Sequence, residues 1–219
     1  MAELGLAITV FVVTHVLAAV RPLRGFLVAR LGERLYVGLF SLLSLALVIW
    51  LGVAYAAAPY IEIWPYVPAF RWLPVAVMPV ACVAIVAGLS SPNPFSLGAG
   101  AKNFDALRPG IVAITRHPAI WGLALWSLAH IPINGDAAAL LVFGLMTVLA
   151  LSGPKSLDGK RRRAMGVDRW RRMAEQTRRT SIGRALVQIG WARLAAGLAL
   201  YALLMALHEM VIGVSPWPV

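Results

Sequence analysis

The 219-residue chain reads as an all-α, multi-pass membrane protein: one helical bundle of about six transmembrane helices, with both termini on the outer, periplasmic side. Three observations predict this. The chain is 60% hydrophobic with a mean hydropathy of +0.79, and only 13% of its residues are charged. That is about half the roughly 25% of soluble proteins, too few charges to cover a water-facing surface. Apolar stretches at about 4–20, 35–60, 72–89, 111–133, 137–153 and 189–212 match the roughly 20 residues that cross a bilayer. Between them 19 of the 20 basic residues fall in loops one, three and five or just inside the helix that follows, and only Arg71 lies opposite. The positive-inside rule then places the basic loops in the cytoplasm. A net charge of +11 could suggest nucleic acid, but this placement accounts for it by membrane orientation, and no nucleic-acid partner is expected.

The elements follow in order. Met1-Ala2-Glu3 begins with an acid rather than the basic region of a signal peptide, so the first span is expected to be retained. Arg21-Pro22-Leu23-Arg24 ends it, because proline cannot continue a helix comfortably. Residues 25–34 form a short basic helix or hairpin at the headgroups. The second span closes at Ala58-Pro59-Tyr60, and residues 60–72 hold Trp64, Tyr66, Phe70 and Trp72, rings that favour the interface. The third span contains the single cysteine, Cys82, which can form no internal disulfide, and no C-x-x-C-H stands for covalent haem. A Gly/Pro loop at 90–110 contains Pro92-Asn93-Pro94-Phe95-Ser96. Pro118 suits the first turn of a helix, and Asn134-Gly135-Asp136 is a tight turn with Asp136 placed to cap the fifth span. Residues 154–184 are the most polar stretch. There Val167, Trp170, Met173 and Ala174 share one helical face, which predicts a basic amphipathic cytoplasmic helix resting on anionic lipid. The 219 residues leave no room for a soluble domain, so a single membrane domain is expected.

Histidine carries the chemistry. His15 and His130 lie inside apolar spans, where an ionisable group is a functional-site candidate by default. Each either bridges helices by a hydrogen bond or ligates a metal or haem, imidazole being the commonest metal ligand. His117 stands beside Arg116 at the cytoplasmic mouth, either bonded to loop carbonyls or reading a phosphate, a carboxylate or haem propionates. His208 is interfacial. His117 and His130 are 13 residues apart, about 20 Å along a helix and about 220° around it, so they cannot share one iron. A bis-histidine site would need His15 with one of them. Arg116, Arg21 and Arg24 are placed to pair with propionates. The nine acidic residues lie in loops or at span ends, so no buried carboxylate is expected beside a histidine, and serine–histidine hydrolysis and paired-carboxylate glycoside cleavage are excluded.

The ordered motifs resemble the NnrU family of bacterial membrane proteins nearly end to end. They are Thr14-His15, Arg21-Pro22-Leu23-Arg24, Leu31-Gly32-Glu33-Arg34, Ala58-Pro59-Tyr60, Pro92-Asn93-Pro94-Phe95-Ser96, Thr115-Arg116-His117-Pro118, Trp126-Ser127-Leu128-Ala129-His130, Asn134-Gly135-Asp136 and the basic run after Leu157-Asp158. The resemblance implies a multi-pass protein of the bacterial inner membrane, linked to denitrification through nitrite or nitric oxide reduction. The family is also similar to plant 15-cis-zeta-carotene isomerase, which carries haem b. That implies haem b held by His15 and His130, and a redox-gated cis–trans isomerase of a lipophilic polyene as the enzyme activity, if there is one. Its partners would be the lipid bilayer and either that polyene or a respiratory redox partner. Arg116-His117-Pro118 also looks like isoprenylcysteine methyltransferases and membrane sterol reductases. Ser156-Leu157-Asp158-Gly159-Lys160, however, lacks the paired glutamates of those enzymes. A non-catalytic assembly factor is the third class.

Overall fold

In lipid every backbone N–H and C=O must be bonded within its own segment, so apolar spans fold as helices. The structure is a computed structural model and describes residues 1–217. Its helices are α1 (Ala2–Ala19), α2 (Arg21–Leu31), α3 (Glu33–Ala56), α4 (Trp72–Ser90), α5 (Ile111–Ile114), α6 (Pro118–Asn134), α7 (Ala137–Met165), α8 (Val167–Arg178), α9 (Ile182–Ile189) and α10 (Trp191–Ile212). A 3-10 turn, Pro68–Arg71, leads into α4. The described residues contain no β-strand, only an isolated bridge between Glu62 and Asp136. The protein is therefore all-α and multi-pass. Among the described residues five helices are long and apolar enough to cross a membrane. The remaining expected span divides at residues 115–117 into α5 and α6. Helix α6 has 17 residues, about 25 Å of rise and the lower limit for a crossing.

By internal packing the chain divides into two compact units. The first comprises Met1–Trp64 and Asp136–Val142. Here Leu4, Ala7 and Phe11 form the buried stripe of α1, and the same three-and-four spacing brings His15 onto that face. Helix α3 answers with buried Leu47, Leu51 and Ala54, and Ser44 continues that row. Pro22 does not merely end α1; it occupies the first turn of α2, where its missing N–H costs nothing. The Asp136 side chain accepts from Ala139 N at 3.0 Å, capping α7 as its position predicts.

The second unit comprises Pro65–Gly135 and the chain from Phe143 onward. Helix α4 packs on both α6 and α10, through small residues that let backbones approach, as in other membrane helices. A Cβ on Gly122 would stand 2.6 Å from Ile85 Cγ1 and 2.7 Å from Ala81 O. One on Gly197 would stand 2.6 Å from the Val83 Cα. Arg71, the one basic residue expected on the outer side, donates to Trp217 O at 3.0 Å and to Ser215 O at 3.4 Å, and so ties down the end of the described chain.

Two expectations are corrected in this unit. The helix of the fifth span does not stop at Gly153; α7 continues through Pro154 to Met165. The apolar face of α8 is in part packed inside the protein, with Val167 left exposed. Trp170 and Ala174 are buried in a cluster with Ala87, Phe95, Ile111, Val112 and Ile189, with Met173 packed against it. Trp170 meets the fully buried Phe95 edge-to-face at 6.0 Å. Apolar side chains left uncovered nearby include Val167 of α8 and Ile182, Leu186 and Val187 of α9, followed by Trp191. Phe95 of the 91–110 loop covers α8 together with residues of α4, α5 and α9.

Candidate functional site

His15 belongs to the first unit. Its Nδ1 is 2.7 Å from the carbonyl of Phe11, one turn earlier on α1. A carbonyl only accepts, so Nδ1 bears the proton and Nε2 keeps the lone pair. That lone pair accepts from Ser44 Oγ at 2.8 Å. Phe11 and Phe40 flank the ring, with centroids 4.1 and 5.4 Å away. Arg21 and Arg24 lie on α2. Arg24 pairs with Glu33 at 3.3 Å and its guanidinium stands 5.8 Å from the Tyr36 ring centre.

His130 belongs to the second unit and repeats the arrangement. Its Nδ1 is 2.7 Å from the carbonyl of Trp126, again one turn earlier, so Nδ1 is the donor and Nε2 carries the lone pair. The ring stacks on Phe143 with centroids 5.2 Å apart and an interplanar angle of 23°, and Trp126 stands 5.9 Å away. Two apolar helices thus each anchor an imidazole through Nδ1 on a carbonyl one turn earlier. Metal-bound histidines are oriented this way, with the distal N–H on a carbonyl or carboxylate. Among the described residues no group of three His, Cys, Asp or Glu could hold a bare metal ion. Haem asks less of the protein, since the macrocycle fills four positions of the iron and only axial ligands are needed. Each of these imidazoles, taken by itself, offers the donor chemistry of an axial haem ligand.

The third feature is also in the second unit, and it corrects the expectation that no buried carboxylate meets a histidine. Asp158, on α7, is buried. Its Oδ2 accepts from an Arg116 Nη at 2.9 Å, and its Oδ1 accepts from His117 Nε2 at 3.1 Å. His117 is therefore bonded to a carboxylate rather than to loop carbonyls. Asn93 braces the segment: its Nδ2 donates to Arg116 O at 3.0 Å, while its Oδ1 accepts from Phe95 N and Ser96 N. The indole of Trp170 lies 5.1 Å from the Arg116 guanidinium and 4.0 Å from that of Arg162, within cation–π range. Burial pushes the His117 pKa below its usual 6.5; the Asp158 charge and hydrogen bond oppose this, and Arg116 adds to it. Arg116 is committed to Asp158, and Arg24 to Glu33.

The sequence reading missed Asp158, Asn93 as a brace, and Ser44. The signal for Asp158 was a lone acid among the basic residues that follow the fifth span. Nothing in its own neighbourhood names a partner 41 residues earlier.

A family model described as "NnrU protein" matches residues 3–216, almost the entire chain. The chain belongs to the NnrU family. No curated protein and no solved structure matches it. Family membership and the apolar helices together make it an NnrU-family membrane protein. The motifs around His15, Asn93, Arg116-His117-Pro118 and His130 are those the geometry above involves in buried or half-buried hydrogen bonds.

Proposed function

We propose that this NnrU-family protein binds haem b, with His15 and His130 as its axial imidazoles, in a bacterial inner membrane, and that it supports nitrite or nitric oxide reduction there. The observation that carries the reading is the shared anchoring of the two rings. Each donates Nδ1–H to its own helix and so turns Nε2 away from that helix within an apolar span. A pre-oriented imidazole loses little freedom on ligation, and burial would set the potential of the iron. Of the three candidate arginines, Arg21 is the one with no acidic partner among the described residues and remains available to a propionate.

One observation favours an isomerase reading alongside this. The lone pair of His15 already has a resident partner in Ser44. A ligand with a second, nearby hydrogen-bond partner is one that can leave iron at small cost, which access of a polyene would require.

The test is spectroscopic. Wild-type protein in mild detergent should show a b-type Soret band. His15→Ala and His130→Ala should each abolish or shift it, because loss of an axial imidazole changes ligation outright. His117→Ala and Arg116→Ala should leave it in place. A spectrum that survives both His15→Ala and His130→Ala overturns the assignment.

A further inference from the structure

Apart from the two apolar-span histidines, the second unit holds a cleft of about 280 Å³ whose lining includes Thr115, Arg116, His117, Trp121, Pro154 and Arg178. His117 is only 3% exposed. Its Nε2–H is occupied by Asp158, and its Nδ1 is buried with no hydrogen-bond partner among the described residues. The Nε of Arg116, in the same wall, is also buried and unpartnered. Buried polar atoms are almost always paired in folded proteins, and exceptions in the wall of a cleft point to a ligand that completes them. The charge balance says which kind. Asp158 is shared between Arg116 and His117, so the uncompensated charge on the cleft is the guanidinium of Arg178. The ligand group must therefore carry negative charge toward Arg178 and also meet a bare imidazole lone pair.

We propose that this cleft binds a phosphate monoester, with His117 Nδ1 accepting the proton of the phosphate. The second ionisation of a phosphate monoester lies near 6, so near neutrality its monoanion still carries a proton that the Nδ1 lone pair can accept. A carboxylic acid, near 4, arrives already ionised and has no proton to give. A phosphodiester has none either. In the bound state the P–O–H proton sits on Nδ1, the phosphate is a dianion, and the new imidazolium and Arg178 face it. No bond to phosphorus breaks. The charged groups facing His117 are Asp158 from α7, Arg116 from its own segment and Arg178 from α8. Trp121 and Pro154 supply an apolar wall for the alcohol portion, which is either a soluble ester or the glycerolipid of phosphatidic acid.

The test is calorimetric titration of the detergent-purified protein with inorganic phosphate, phenyl phosphate and phenyl sulfate. Both phosphates should bind, and phenyl sulfate should bind at least about tenfold more weakly at pH 7, since it brings one charge fewer to Arg178. Uptake of one proton makes wild-type affinity for phenyl phosphate fall about tenfold from pH 7 to pH 8. His117→Gln should flatten that slope. Arg178→Gln, at an exposed position, should weaken binding about tenfold at both pH values and keep the slope. Tighter binding of phenyl phosphate than of inorganic phosphate identifies an ester as the ligand. Enrichment of phosphatidic acid over phosphatidylglycerol on protein extracted from mixed vesicles identifies the lipid source. Absence of heat with both phosphates at millimolar concentration overturns the proposal. So does equal binding of phenyl sulfate, or a pH slope that persists in His117→Gln. Should His117→Gln fail to fold, Arg178→Gln and the sulfate comparison still decide.

Discussion

Replacing Asp158 by Asn removes one charge and little volume from the Arg116–Asp158–His117 cluster. Arg116 then keeps a guanidinium without its carboxylate, and His117 keeps at best one neutral acceptor. Breaking a fully buried ion pair costs about 3–5 kcal/mol, and breaking an exposed one about 0–1 kcal/mol. The side chains of Arg116 and Asp158 are 22% and 13% exposed, nearer the buried limit. A loss of about 2–3 kcal/mol follows. For a chain of this size that corresponds to a fall of roughly 5–10 °C in Tm. Thermal unfolding in detergent, followed by circular dichroism, measures it. The comparison is Arg24→Gln, whose ion pair with Glu33 has side chains 37% and 72% exposed and should cost less than about 1 kcal/mol. Equal shifts in the two variants would refute the reasoning, because the buried carboxylate would then contribute no more than a surface pair.

Three further outcomes follow from the same structure. Gly122→Leu sets a side chain against Ala81 O and Ile85, whose backbone and branched chain have no room to yield, and should reduce the yield of folded protein or lower Tm by several degrees. The pKa of His117 is held below 6.5 by burial, so the unfolded chain binds its proton first as pH falls; the stability due to this group is full above pH 6.5 and lost below it, toward the folded value. His117→Gln should remove that part of the decline in Tm between about pH 7 and pH 5. Reporter fusions after Gly166 and at the C-terminus should give opposite signals if the basic loops are cytoplasmic; two matching signals would contradict the orientation.

How much of this was legible in the sequence depended on how local each cause is. Helix class, the Asp136 cap and the break at Arg21-Pro22 follow from neighbours a few residues apart, and they appear as expected. The histidines could be singled out because an imidazole among Val12, Val13 and Val16 is costly in lipid, wherever its partner lies. The identity of the partner was another matter. His15 meets Ser44 across 29 residues, and His117 meets Asp158 across 41, through packing that no local pattern encodes. The α8 face shows the opposite failure. Val167, Trp170, Met173 and Ala174 have the period of a membrane-surface helix, but that period records only that one face is covered. Phe95 and the residues around it cover it, in a loop whose fold is set by Asn93. The continuation of α7 past Gly153 was hidden because those residues are polar; Pro154 within it is tolerated as prolines in membrane helices are, where neighbouring groups satisfy the freed carbonyl.

The most direct measurement is the haem content of the wild-type protein, purified in mild detergent after expression with ample haem, by pyridine haemochrome. The account predicts a b-type spectrum in fixed stoichiometry with the chain. Colourless protein, folded by circular dichroism and free of iron, would contradict it.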